Sequence, residues 1–133
     1  MPPFGWTLAS AAAGVAEPQD AGRLHILYFG RDDIVLASQL LMLKPGTYRL
    51  AMKADGSSPS ARSLAWVIRC LTPSRTIATI SLASPAGGAV AGDFTVPSQS
   101  CAAQQLELAG TASDVPEQVD LTIADLSLSR TGS

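Results

Sequence analysis

The sequence predicts an all-β fold, a two-sheet antiparallel sandwich of jelly-roll type, on three observations. Short runs of β-branched, aromatic and Leu residues recur between turn signals, at the spacing of sandwich strands. Helical periodicity is hard to find anywhere in the chain. Several runs alternate apolar with polar residues, as strands with one dry face must.

Ten runs are strand candidates: Phe4 to Leu8, Ala12 to Ala16, Leu24 to Phe29, Ile34 to Leu43, Thr47 to Lys53, Ser63 to Leu71, Thr76 to Leu82, Gly92 to Val96, Gln104 to Leu108 and Val119 to Leu128. The separators carry turn chemistry. Lys44-Pro45-Gly46 offers a fixed φ followed by a residue free to take φ > 0, which predicts a type II turn and a hairpin from Ile34 to Lys53. Asp55-Gly56-Ser57-Ser58-Pro59-Ser60 is expected to be the most flexible loop. Ser84-Pro85-Ala86-Gly87-Gly88 and Thr111-Ala112-Ser113-Asp114 mark two further connections.

Alternation assigns the buried faces. Tyr48, Leu50 and Met52 share one side of their strand, with Arg49 and Lys53 opposite. Leu64, Trp66, Ile68 and Cys70 share a side against Ala65, Val67 and Arg69, so Trp66 and Cys70 are expected in the core. In the last run Val119, Leu121 and Ile123 keep one parity while Leu126 and Leu128 keep the other. One extra residue near Ala124-Asp125 would return the second set to the apolar side, which predicts a bulge there.

A chain of 133 residues fits one domain, spanning 1–133, large enough to bury a continuous core. Apolar residues make up 47% and charged residues 15%, a balance opposite to that of disordered chains. Nine basic and eleven acidic side chains are scattered singly, giving a net charge of -2. A nucleic-acid surface needs clustered Lys and Arg, so no nucleic-acid partner is expected. No apolar run approaches the roughly 20 residues of a bilayer span, which excludes helical membrane insertion. The Ala-rich stretch from Ala9 to Ala16 lacks a preceding Lys or Arg and is too weakly apolar for the core of a signal peptide. Met1-Pro2-Pro3 followed at once by strand-like sequence suggests a domain excised from a larger protein, whose other domains would then be partners.

Cys70 and Cys101 lie 31 positions apart. A cysteine pair in such a sandwich predicts a disulfide and, with it, an extracytoplasmic setting (secreted, periplasmic or cell envelope). The alternative is two buried free thiols. Neither cysteine has a His or a second Cys at zinc-ligand spacing. His25, the single histidine, sits in mid-strand between Leu24 and Ile26, where imidazoles are more often structural than catalytic. No nucleophile elbow, phosphate-cradling Gly loop or H-E-x-x-H motif occurs, and the carboxylates fall mostly in turns or on charged strand faces. A non-enzyme is the expectation. Aromatic residues would carry sugar binding, and there are two Trp, two Tyr and three Phe. Trp66, Tyr48, Phe4, Phe29 and Phe94 read as core, leaving Trp6 and Tyr28 as candidate ligand-binding residues.

The order of these signals resembles the jelly-roll carbohydrate-binding modules of the galactose-binding-like superfamily. The resemblance rests on Phe4-x-Trp6-x-Leu8, on Gln39-x-Leu41-x-Leu43-x-Pro45-Gly46-x-Tyr48-x-Leu50, on Trp66-x-Ile68-x-Cys70, and on Leu121-x-Ile123-x-Asp125-Leu126-x-Leu128. It implies a non-catalytic accessory module that holds a polysaccharide or oligosaccharide near a larger secreted or envelope protein. It further implies a structural calcium with Asp125 as candidate ligand, although the acidic residue those modules carry in the first strand is missing. No other cofactor is implied. The competing expectation keeps the fold but makes it a protein-interaction or architectural domain with no sugar ligand.

Overall fold

The computed structural model describes residues 6–56, 63–71, 73–82, 88–116 and 118–132. Within them lie eleven strands and one short 3-10 turn, Asp20–Gly22. The strands are β1 (Trp6–Leu8), β2 (Ser10–Ala11), β3 (Gly14–Gln19), β4 (Arg23–Tyr28), β5 (Ile34–Leu41), β6 (Gly46–Gly56), β7 (Leu64–Leu71), β8 (Ser74–Ser81), β9 (Ala89–Val96), β10 (Gln104–Gly110) and β11 (Val119–Gly132). All pairings are antiparallel. One sheet has five strands in the order β1-β5-β10-β7-β8, and the other has six in the order β2-β3-β4-β11-β6-β9. The all-β sandwich expected from the alternation is therefore the fold.

The two inner faces interleave around Trp66, which has no exposed surface. It pairs across its own sheet with Leu108 and Ile80. Its Nε1 donates to Met52 Sδ of the facing sheet at 2.8 Å, so the one polar atom of the indole is satisfied inside the core. Leu64, Ile68 and Cys70 are buried on the same side of β7, and Tyr48, Leu50 and Met52 are buried on β6. The period-two reading holds at each of these positions.

The expected bulge is present in β11. Ala124 faces Lys53 and Ser127 faces Ala51, so Asp125 and Leu126 together oppose the single Met52. Asp125 absorbs the extra length at φ 55, a left-handed conformation that Asp tolerates better than most residues. Beyond it Leu126 and Leu128 pack against the core.

The expected hairpin from Ile34 to Lys53 is corrected by the topology. β5 belongs to the five-stranded sheet, where it pairs β1 and β10, while β6 pairs β11 and β9 in the other sheet. The intervening residues carry the chain from one layer to the next. Both main-chain groups of Leu43 are held by the buried Gln104: Leu43 N–H donates to Oε1 at 2.8 Å, and Nε2 donates to Leu43 O at 3.3 Å. On the far side Tyr48 Oη donates to Lys44 O at 2.6 Å and Arg130 Nη2 donates to Pro45 O at 2.7 Å. Gly46 takes φ 150 instead of the roughly +80° of a type II turn, and the space a Cβ would need is occupied by Arg130 and the Gly132 carbonyl. Alternating apolar residues fit a sheet crossing as well as a hairpin, and the longer-range pairings with β10 and β11 decide between them.

One smaller difference arises at the chain start. The expected strand from Ala12 begins at Gly14, because Ala12 and Ala13 form the turn of a short β2–β3 hairpin. The loop at Ser57 to Ser60 and most of the connection at Ser84 to Gly88 lie outside the described residues, as does Phe4. The connection at Thr111 to Asp114 is present as expected.

Candidate ligand-facing sheet

Cys70 and Cys101 form a disulfide, with S–S 2.09 Å and Cα atoms 5.0 Å apart. It ties the end of β7 to the segment entering β10. Gln104 reinforces the same corner: its Nε2 donates to Cys101 O at 2.7 Å while its amide also holds Leu43. The end of the five-stranded sheet is thus pinned at three chain segments, which fixes β5, β10 and β7 relative to one another.

The outward face of those three strands follows from the register. Glu107 lies opposite Ser38 on one side and Val67 on the other, Gln105 lies between Leu40 and Arg69, and Ala109 lies between Val35 and Ala65. Thr7 extends the face past Ser38, and Thr79 extends it past Val67. At its centre Arg69 Nη2 donates to Glu107 Oε1 at 2.7 Å. The Glu107 side chain is 12% exposed and that of Arg69 37%. The carboxylate is therefore recessed beneath the guanidinium, and Ser38 beside it is buried. Among the described residues the buried Arg69 Nε has no hydrogen-bond acceptor. Chemically, this face offers guanidinium donors, a carboxylate acceptor and hydroxyls beside the aliphatic Val67 and Leu40.

The outward face of the six-stranded sheet is different. Two exposed ion pairs lie there, Arg49 Nε to Asp93 Oδ1 at 2.9 Å and Lys53 Nζ to Asp125 Oδ2 at 3.8 Å, beside a hydrogen bond between His25 Nε2 and Asp120 Oδ1 at 2.7 Å. The hydrogen bond that Arg49 donates to Asp93, and then the Asp93 charge, raise the Arg49 pKa above its ordinary value. His25 is thus one half of a surface cross-strand pair. Among the described residues no hydroxyl is hydrogen-bonded to its ring.

The two aromatic candidates are brought neither together nor into the open. Tyr28 is wholly buried; its ring fills the space beside Gly110, and its hydroxyl donates to Asp32 O at 2.8 Å. Burial, followed by the charges of Asp33 and Asp32, pushes its pKa up from 10.0. With no ring surface exposed, Tyr28 offers no sugar platform. Trp6 is half-buried on the inner side of β1, its ring centroid 5.9 Å from that of Trp66. None of the described aromatic residues is exposed, whereas Val35, Leu40, Met42 and Val115 are.

Asp125 was the candidate calcium ligand. Its carboxylate lies 3.8 Å from the Lys53 ammonium, and among the described residues no group of three His, Cys, Asp or Glu is placed to hold a metal ion.

Solved structures identify the architecture. A CBM4 structure superposes with TM-score 0.65 over 95% of this chain and 86% of that one, at 16% identity. The CBM22-1–GH10 modules of Clostridium thermocellum endo-1,4-β-D-xylanase 10B, in complex with xylohexaose, match at TM-score 0.59 and 12% identity, over 96% of this chain and 26% of that one. The chain has the jelly-roll fold of carbohydrate-binding modules. The same fold occurs in a structure of accessory secretory proteins 1, 2 and 3 of Streptococcus pneumoniae, with TM-score 0.61 and 9% identity over 90% of this chain and 87% of that one. No protein-family model and no curated protein matches the sequence. Among the described residues no helix is long and apolar enough to cross a membrane.

Arg69 and Glu107 were not among the candidates drawn from sequence. They lie 38 positions apart and each is a single charge in a largely apolar strand. The available signal was parity: both fall on the side opposite Trp66 and Leu108.

Proposed function

We propose that this chain is a non-catalytic, carbohydrate-binding-like accessory module of a secreted or envelope protein, and that its ligand-facing surface is the outward face of β5, β10 and β7. The observation that carries this reading is the recessed Arg69–Glu107 pair at the centre of a rigid, mixed polar and aliphatic sheet face, on a fold shared with carbohydrate-binding modules. A guanidinium that donates and a carboxylate that accepts can hold neighbouring hydroxyls, while Val67 and Leu40 cover the apolar side of a sugar ring. The disulfide supports an oxidising location. A glycan array followed by calorimetry on the polysaccharides it selects tests the proposal. Saturable binding is expected, and no binding at millimolar ligand would overturn it.

A second reading, a protein-interaction or architectural domain without a sugar ligand, is favoured by a specific observation. Val35, Leu40 and Met42 are exposed along one strand and its exit, while no aromatic ring is exposed among the described residues. A fold neighbour from a structure of three accessory secretory proteins lends the same support. Binding to the neighbouring domains of the parent protein, with a blank glycan array, would favour this reading.

A further inference from the structure

The edges of the two sheets are not treated alike. A sheet edge presents main-chain donors and acceptors to any strand that can approach, and proteins normally blunt it by shortening, bulging or placing charge or Pro there. In the five-stranded sheet β1 is three residues long, and β8 carries a bulge at Ile77 together with Arg75. In the six-stranded sheet β2 is two residues long, and the part of β3 beyond it contains Pro18. β9 is neither short nor bulged. It runs for eight residues in unbroken register with β6, from Ala89 opposite Lys53 to Val96 opposite Gly46, and its sequence AVAGDFTV has no Pro and no basic residue. Its one charge, Asp93, is neutralised by Arg49 of the adjoining strand. From Val90 to Val96 its outer edge has no strand partner among the described residues.

We infer that β9 is a pairing edge and that its occupant is β9 of a second copy of this chain, joined antiparallel about a two-fold axis through Gly92. A two-fold perpendicular to the sheet keeps the inner faces of both copies on one side, so facing residues must share parity. Centring on Asp93 would set two like charges opposite each other. Centring on Gly92 sets Asp93 opposite Ala91 of the other copy, with Ala89 opposite Thr95 and Val90 opposite Phe94. The Cβ space of Gly92 is filled by Ile80 of the same chain, so the two-fold brings no side chain of the other copy into that position, and the two six-stranded sheets become one continuous layer. The inference is independent of the glycan reading, because it uses a different edge of the molecule.

The test is sedimentation of the chain from micromolar to millimolar concentration, with hydrogen exchange of the β9 amides, for the wild type and two charge variants that leave the core untouched. The expected result is a reversible dimer in which protection of β9 rises with concentration. Ala91→Glu places a carboxylate opposite Asp93 of the other copy, twice by symmetry, and weakens the dimer by roughly two- to thirtyfold. Ala91→Lys places an opposite charge there and leaves the dimer at least as tight. A monomer throughout the range would overturn the inference, including one whose β9 pairs with an extended segment of a different protein. So would equal weakening by both variants, or protection arising at another strand.

Discussion

The two outward faces are built from the same kinds of residue but do not present them in the same way. On the six-stranded sheet, Arg49 and Asp93 form an ion pair with both side chains more than half exposed. On the five-stranded sheet, Arg69 and Glu107 form a shorter pair whose carboxylate is almost hidden. The difference originates behind the strands. The five-stranded sheet is backed by Trp66 and cross-linked at one end through Cys70, Cys101 and Gln104, so its surface groups stand on a fixed platform. The exposed pairs on the other sheet stand in solvent, while the recessed pair is half-hidden among its neighbours.

That contrast is broken most severely from inside. Trp66→Ala removes the largest fully buried side chain and leaves Met52 Sδ without its donor, and should cost about 3–5 kcal/mol in urea unfolding. A loss below about 1 kcal/mol would show that the core does not centre on this residue. Reducing the disulfide, or replacing Cys70 and Cys101 together by Ser, should cost about 3–4 kcal/mol through the entropy of a loop of 31 residues. Thiol alkylation of the native protein without reductant, read by intact mass, should label neither sulfur.

The surface pairs give smaller effects and sharpen the comparison directly. Glu107→Gln should lower stability by about 1 kcal/mol or less after solvent screening, whereas Asp93→Asn should produce no resolvable change. Equal losses from the two would mean that the faces are equivalent. Smallest of all is an alkaline effect from Tyr28. Its folded pKa lies above the ordinary 10.0, so the folded state favours the neutral phenol. Stability is retained below about pH 10 and falls as pH rises through the folded value. Ultraviolet titration should show a delayed phenolate component that Tyr28→Phe removes.

How much of this was legible in the sequence depended on the range of the determining contact. Trp66, Cys70, Tyr48 and Met52 were readable because parity along a single strand decides which side is dry. The Asp125 bulge was readable for the same reason, since two sets of Leu and Ile of opposite parity cannot share a face without an extra residue. The crossing at Lys44-Pro45-Gly46 was not, because the Gln104 amide that holds Leu43 comes from 61 residues away. Tyr28 was left as a candidate by elimination, and its burial was not readable because Gly110, distant in sequence, leaves the hole that its ring fills. Arg69 and Glu107 were visible singly as outward charges, but their meeting depends on the β7–β10 register, which local pattern does not encode.

The most direct test of the central claim, that the outward face of β5, β10 and β7 is the working surface, is a ¹⁵N NMR titration with the best-binding oligosaccharide from the array. The account predicts chemical-shift changes centred on Arg69, Glu107, Gln105 and Ser38, abolished in the Glu107→Gln variant. Changes confined to the six-stranded face, around His25, Asp120 or Arg49, would contradict it.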